Sequence, residues 1–271
     1  METGTIELGH VQMLLGLLPV AAAVLLSYVY QLGLTKPIAW GVVRAALQMT
    51  VMGFVLVWLF KQNDPWLISA MFVFMVGAAS QAACGRLKKS AHSVKARRVL
   101  QRILFLSIFA GSLITLGYLQ FVVVRTDPVW EARYLVPLAG MIISNSMNAA
   151  ALALERFRTE LTLRAGEVEA YLALGATAKE ASLSAVRTAV AAAMMPSVNG
   201  LAVLGLVSLP GMMSGQILAG VSPLLAIRYQ LLVNFTITAA AAIVSFAAVM
   251  LARRTYFTKD ERFISPALFD D

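Results

Sequence analysis

Long apolar runs alternate along the chain with short polar gaps, and each run is close to bilayer length. A hydrocarbon layer of roughly 30 Å asks for about 20 apolar residues per helix. Seven stretches meet that demand: 11–30, 38–60, 66–84, 103–124, 134–154, 189–209 and 224–251. The gaps carry proline or charge, as at Lys36-Pro37, Asp64-Pro65 and Asp127-Pro128. The pattern predicts an all-α, polytopic membrane protein, a single transmembrane domain over residues 1–271. Composition agrees, with 59% hydrophobic and 13% charged residues and a mean hydropathy of +0.78. Soluble domains carry about 25% charge. The first ten residues hold Glu2 and Glu7 but no Lys or Arg, so they lack the basic start of a cleaved signal peptide, and the first run is expected to be retained.

Charge then orients the bundle. Lys36, the cluster between Arg86 and Arg102, the 155–188 loop and the tail fall on one side, with seventeen of the 22 Lys and Arg. Lys61, Arg125 and Arg133 fall on the other, and Arg44 and Arg228 lie in or at the edge of spans. The positive-inside rule makes the rich side cytoplasmic, with the N-terminus out and the C-terminus in. Topology thus accounts for the net charge of +8. Nucleic acid is not expected as a partner, because the basic cluster has no interleaved aromatics on which bases could stack. Anionic lipid suits it better.

The 155–188 loop carries the most informative pattern. Leu161, Val168, Tyr171, Leu172 and Leu174 recur at helical spacing among charges. Gly175 suits a helix end, since it enters the left-handed region without a Cβ clash. Thr177 followed by Glu180 reads as a capping box opening a second helix at Ala178, which leads into the sixth span. A short helix joined by a tight turn to a span makes a lever. The plainer reading of the same pattern is an amphipathic helix lying on the membrane.

The run Glu169-Ala170-Tyr171-Leu172-Ala173-Leu174-Gly175-Ala176-Thr177 resembles the coupling motif of ABC transporter permeases. Together with Val186-Arg187, Pro196, Trp40-x-x-x-Arg44-Ala45-x-x-Gln48 and Val136-Pro137-Leu138-Ala139-Gly140-Met141-Ile142, it is similar to the FetB family. The most specific piece is Val207-Ser208-Leu209-Pro210-Gly211-Met212-Met213-Ser214-Gly215. That family includes bacterial iron-export permeases and the membrane subunits of plant aluminium-tolerance transporters. The resemblance implies a homodimeric permease of the bacterial inner membrane, worked by a separate ATP-binding cassette subunit that holds ATP and Mg. Glu169, Ala170, Tyr171, Gly175, Thr177 and Glu180 are then the expected coupling residues, and the chain itself is not expected to be an enzyme or to bind a cofactor. It has no phosphate-cradling G-x-x-x-x-G-K-[ST] loop.

The spans themselves hold no carboxylate by this reading, whereas ion-coupled carriers usually keep one. The candidate path residues are Arg44, Gln48, Asn145, Asn148 and Arg228, with Ser208, Pro210, Gly211, Ser214 and Gly215 as a helix break serving as a gate. Each has a plainer role: snorkelling or ion pairing for the arginines, interhelical bonding for the amides, an external turn for the break. Met194, Met195, Met212 and Met213 are candidate thioether ligands for a soft metal, set against methionine's common use as packing. Cys84 stands alone, which removes intramolecular disulfides, and His10 and His92 lack a metal-binding partner in sequence. The leading expectation is export of iron or another metal. Arginines without carboxylates suit an anionic chelate or an organic anion better than a bare cation. An ion-coupled secondary carrier and a seven-span receptor are the competing classes.

Overall fold

The computed structural model describes residues 9–87, 94–258 and 260–264. Glu2, Glu7, Lys88, Lys89, His92 and Lys259, which entered the charge and histidine arguments, lie outside them. Every apolar run is helical. The first is bent into α1 (His10–Leu15) and α2 (Leu18–Val29), and α3 (Thr35–Gln62) and α4 (Pro65–Arg86) follow. The chain continues with α5 (Val94–Tyr118), which passes into a π-helical turn (Leu119–Val124), and then α6 (Ala132–Leu163). Two short helices come next, α7 (Ala165–Ala173) and α8 (Ala178–Ala181), before α9 (Leu183–Val203), a further short helix α10 (Gly211–Leu218), and α11 (Pro223–Tyr256). Among the described residues, seven helical segments are long and apolar enough to cross a membrane. The chain is a multi-pass membrane protein.

Local chemistry sets several boundaries. Asp64 accepts the Trp66 amide at 2.7 Å and so caps α4, with Pro65 at the first helical position, where a missing amide costs nothing. Ser222 and Pro223 open α11 in the same order. There, however, the Ser222 hydroxyl makes no cap bond, and its carbonyl alone accepts the first amides, those of Leu225 and Ala226. Asn63 ends α3 in the left-handed region at φ 44° and accepts the Ala132 amide at 2.9 Å, tying the end of α3 to the start of α6.

α6 and α11 form the centre, flanked by α5 and α9, with α4 against α5 and α6. Small residues line the contacts: Ala149, Ala150 and Ala153 on α6, Ala185 and Ala189 on α9, Ala240 and Ala248 on α11, all buried. In lipid, apolar surface gains little by leaving one hydrocarbon for another, so close packing through small residues holds helices together. Among the described glycines, Gly111 on α5 makes the closest approach, because a Cβ there would fall well inside van der Waals contact distance of Val244 Cγ2 on α11. α2 and α3 stand apart. α3 meets the rest near its end, where Leu59 packs with Ile68, Ala132 and Val136.

Three helices differ from the predicted runs. α5 starts at Val94, well before 103, so Arg97, Arg98 and Arg102 ride on it instead of in a gap. α6 continues past 154 to Leu163, so Glu155 and Glu160 ride on a spanning helix instead of in a loop. Ion pairing along its face carries the helix beyond its apolar stretch. α9 starts at Leu183 and stops at Val203, short of the predicted 209. Gly205 takes a left-handed φ of 77°, and Pro210 has no amide to donate. The helical spacing from Leu161 to Leu174 is not one helix: it is divided at Arg164.

Gly111→Ala is expected to destabilise the bundle by roughly 1–3 kcal/mol through overpacking. Adding Val244→Ala should restore much of that loss in thermal unfolding of the detergent-solubilised protein, and equal stability of Gly111→Ala and wild type would rule out the close approach.

Candidate functional site

At the end of the bundle where α6 finishes and α9 begins, 164–182 form a helix-turn-helix held outside the apolar spans. Val168 is buried and Leu172 packs against the core, so α7 docks through that face. The turn after it is a Schellman motif. Gly175, at φ 88°, donates to the Leu172 carbonyl at 3.0 Å, and Ala176 donates to that of Tyr171 at 3.0 Å. The capping box follows as the sequence predicts. The Thr177 hydroxyl accepts the Glu180 amide at 3.3 Å, and the Glu180 carboxylate accepts the Thr177 amide at 2.9 Å. The carboxylate also accepts the Thr177 hydroxyl at 2.8 Å, and these two bonds from Thr177, the backbone one first, hold the Glu180 carboxyl below its ordinary pKa.

The turn's amides at Leu174, Gly175 and Ala176 are bonded within the segment. Glu169, Ala170, Tyr171, Gly175 and Thr177 all lie on the exposed side. Tyr171 is 48% exposed and Leu174, at the tip, 86%. The described residues do not cover this apolar tip.

Three groups that the sequence reading did not single out secure the segment. Glu160 of α6 is buried, and its two oxygens are shared between Arg156 at 2.8 Å and Arg164 at 3.0 Å. Arg164 also donates to Ser184 of α9 at 3.0 Å and reaches Glu167 of α7 at 3.5 Å. From the tail, Glu261 accepts the Ala178 amide at the start of α8. The tail is folded to allow this, with Ile264 donating to the Tyr256 carbonyl at 2.8 Å and the Phe257 and Phe263 rings 5.4 Å apart. The Glu160–Arg164 spacing of four residues was legible as a helix pair. The contact of Glu261 joins residues 83 apart and left no local signal.

The predicted path residues separate into groups. Arg44 and Gln48 are exposed on α3. Because α3 starts at Thr35, Arg44 stands nine residues inside it, about 14 Å at 1.5 Å per residue. Asn145 donates to the Met141 carbonyl of its own helix at 2.8 Å, whereas exposed Asn148 accepts from Arg86 of α4 at 2.6 Å. Arg228 is exposed near the start of α11. Of the methionines, Met212 packs on the core and Met195 is 52% exposed. Among the described residues, no group of three or more His, Cys, Asp or Glu is placed to hold a metal.

A break at 204–210 separates α9 from α10. Leu206 and Val207 are 87% and 84% exposed in it, and Pro210, extended at ψ 144°, opens α10. Ser208 donates to the Val203 carbonyl at 3.3 Å, and Ser214 donates to that of Pro210 at 3.2 Å. Gly211 and Gly215 leave open space around α10.

A family model described as an uncharacterised protein family, UPF0014, matches residues 10–257. The chain belongs to the UPF0014 family. It is 36% identical over 266 residues to a UPF0014 membrane protein of Synechocystis, covering 97% of this chain and all of the relative. It is 36% identical to ALUMINUM SENSITIVE 3 of Arabidopsis thaliana, covering 93% of this chain and 88% of that protein. The probable iron export permease protein FetB of Escherichia coli is 32% identical, with 92% of this chain and 93% of the relative covered. No solved structure matches this UPF0014 chain.

For this UPF0014 protein, NMR titration of the Glu180 carboxyl is expected to give a pKa below the ordinary glutamate value of about 4.3. A depressed carboxylate stabilises the folded turn above its unfolded pKa, and that contribution is lost as pH falls through the folded value. Glu180→Gln should keep the cap bonds and remove the pH dependence of local order at 177–181; a Glu180 pKa at or above the ordinary value would contradict the box.

Proposed function

We propose that this chain is the permease subunit of an ATP-binding cassette transporter that exports iron or another metal. The observation that carries the reading is the tip of α7, where Tyr171 and Leu174 project from a turn whose amides are bonded within the segment. An exposed aromatic and an exposed leucine on a rigid knob suit a pocket on a partner protein. Glu169 and Gly175 belong to the same outward patch, and no phosphate-binding loop is present in the sequence. A separate ATPase with its ATP and Mg would supply the energy and press on this knob. The basic end is then cytoplasmic and the chain sits in a bacterial inner membrane, N-terminus out.

A second copy completes the assembly in this reading. In a single chain, Arg44 and Gln48 face outward at depth along α3, and the non-helical stretch at 204–210 is largely exposed. A charge at the bilayer centre costs at least about 2.5–3.5 kcal/mol, and irregular backbone is tolerated only where protein or water covers it. A homodimer interface lined by α3, the open face of α6 and the 204–215 element meets both demands. ATP-driven closure would move α7, shift α6 and α9, and open or close the break around Ser208, Pro210, Gly211, Ser214 and Gly215.

The name of the FetB relative points to iron, and the electrostatics bear on its form. Arg44, Arg86 and Arg228 with Gln48 and Asn148 offer donors to an anion, so a metal chelate or an organic anion passes more easily than bare Fe²⁺. Reconstituted protein should move an anionic iron chelate at least about tenfold faster than free Fe²⁺; the opposite order would remove the electrostatic argument.

Vanadate-sensitive hydrolysis by a co-purifying ATPase tests the main reading, and its absence across several mild detergents would defeat it. Gly175→Pro removes the amide bonded to Leu172 and forbids the φ of 88°, so it should uncouple hydrolysis from transport while the spans stay folded. Tyr171→Ala should weaken ATPase association by roughly tenfold without lowering thermal stability, because the side chain is half exposed.

A further inference from the structure

The lever has a weak point where it meets the spanning helix, and one side chain crosses it. α6 ends at Leu163 and α7 starts at Ala165, so Arg164 alone closes one helix and opens the next, at φ −107° and ψ 20°. A single-residue joint would bend when α7 is pushed, and the push would not reach α6. The Arg164 guanidinium touches all three elements that meet there. Its Nε donates to Glu160 on α6 at 3.0 Å, and its Nη1 donates to Ser184 on α9 at 3.0 Å and reaches Glu167 on α7 at 3.5 Å.

The α6 end of this arrangement is firmly seated. Glu160 is only 5% exposed, and Arg156 occupies its other oxygen at 2.8 Å. An exposed ion pair four residues apart would contribute little. A buried carboxylate held by two guanidiniums is different, since removing one partner leaves a charge short of its compensation. The planar guanidinium presents several donors in fixed directions, which lets one residue fasten three helices where a lysine ammonium would serve fewer.

We propose that Arg164 is a splint: a positioning residue that makes α7 move as one body with α6 and α9, and so sets how much transport each ATP hydrolysis yields. The assignment rests on the permease reading above, and Arg164 contacts neither cargo nor nucleotide in it. It differs from the α7 tip in role. The tip receives the push, and Arg164 prevents the joint from absorbing it.

Two readouts test it on the full-length chain. With the ATPase partner in proteoliposomes, Arg164→Ala should leave hydrolysis within about twofold and lower cargo moved per ATP by roughly tenfold. Arg164→Lys should recover part of that ratio, and Ser184→Ala, which removes only the α9 contact, should lower it less. An unchanged ratio in Arg164→Ala would overturn the proposal. Without any partner, hydrogen exchange of the α7 amides in Arg164→Ala should quicken by roughly tenfold while the interiors of α6 and α11 stay protected. Unchanged α7 exchange would overturn it as well. Faster α7 exchange in a chain that binds no ATPase would keep the splint and remove the transporter reading instead.

Discussion

Hydrocarbon offers no hydrogen bonds, so each backbone amide and carbonyl within the membrane must find its partner inside the protein. That demand explains the seven long helices and the absence of sheet among the described residues. Between Val203 and Gly211 the chain leaves helical geometry, and there the amides of Gly205 and Ser208 are satisfied by short local bonds. The side chains of Leu206 and Val207 in that break are apolar and left uncovered by the described residues.

With the backbone satisfied helix by helix, the contacts between helices fall to close packing. Alanines on α6, α9 and α11, and Gly111 against Val244, let the axes approach until side chains interlock. α9 joins this packing through Ala185, Val186, Ala189 and Ala193, all of which precede Pro196. The part of α9 beyond the proline has no buried residue. One helix is thus firmly packed near the helix-turn-helix and loosely held near its other end.

Much of this was legible in the sequence because its physics is local. Helix ends at Leu174 and Ala178 follow from a glycine that must adopt positive φ and a threonine paired with a glutamate three residues on. Run lengths gave the spans within a few residues, except where α5 begins early at Val94, where charge pairing carried α6 onward and where Gly205 and Pro210 cut α9 short. The contacts between distant positions were not legible. Arg86 with Asn148 joins residues 62 apart, and Glu261 with Ala178 joins 83. Both depend on which helices become neighbours, and an apolar run says little about its neighbours when every face of it is apolar. Asn148 was singled out for its polarity at depth, but its partner became visible only once α4 and α6 were placed side by side.

The three ties on the helix-turn-helix also constrain how it can move. α8 runs into α9 through Ser182 alone, Glu160 and Arg164 bind the segment to α6, and Glu261 brings the end of α11 onto the first amide of α8. A push on the tip therefore cannot displace one span by itself. α6 and α11 are the central pair of the bundle, so a displacement shared by these helices repacks the whole core, whereas one confined to α9 would leave it in place. The tail contact is the lightest of the three, a single exposed hydrogen bond, and it would be the first to yield under load.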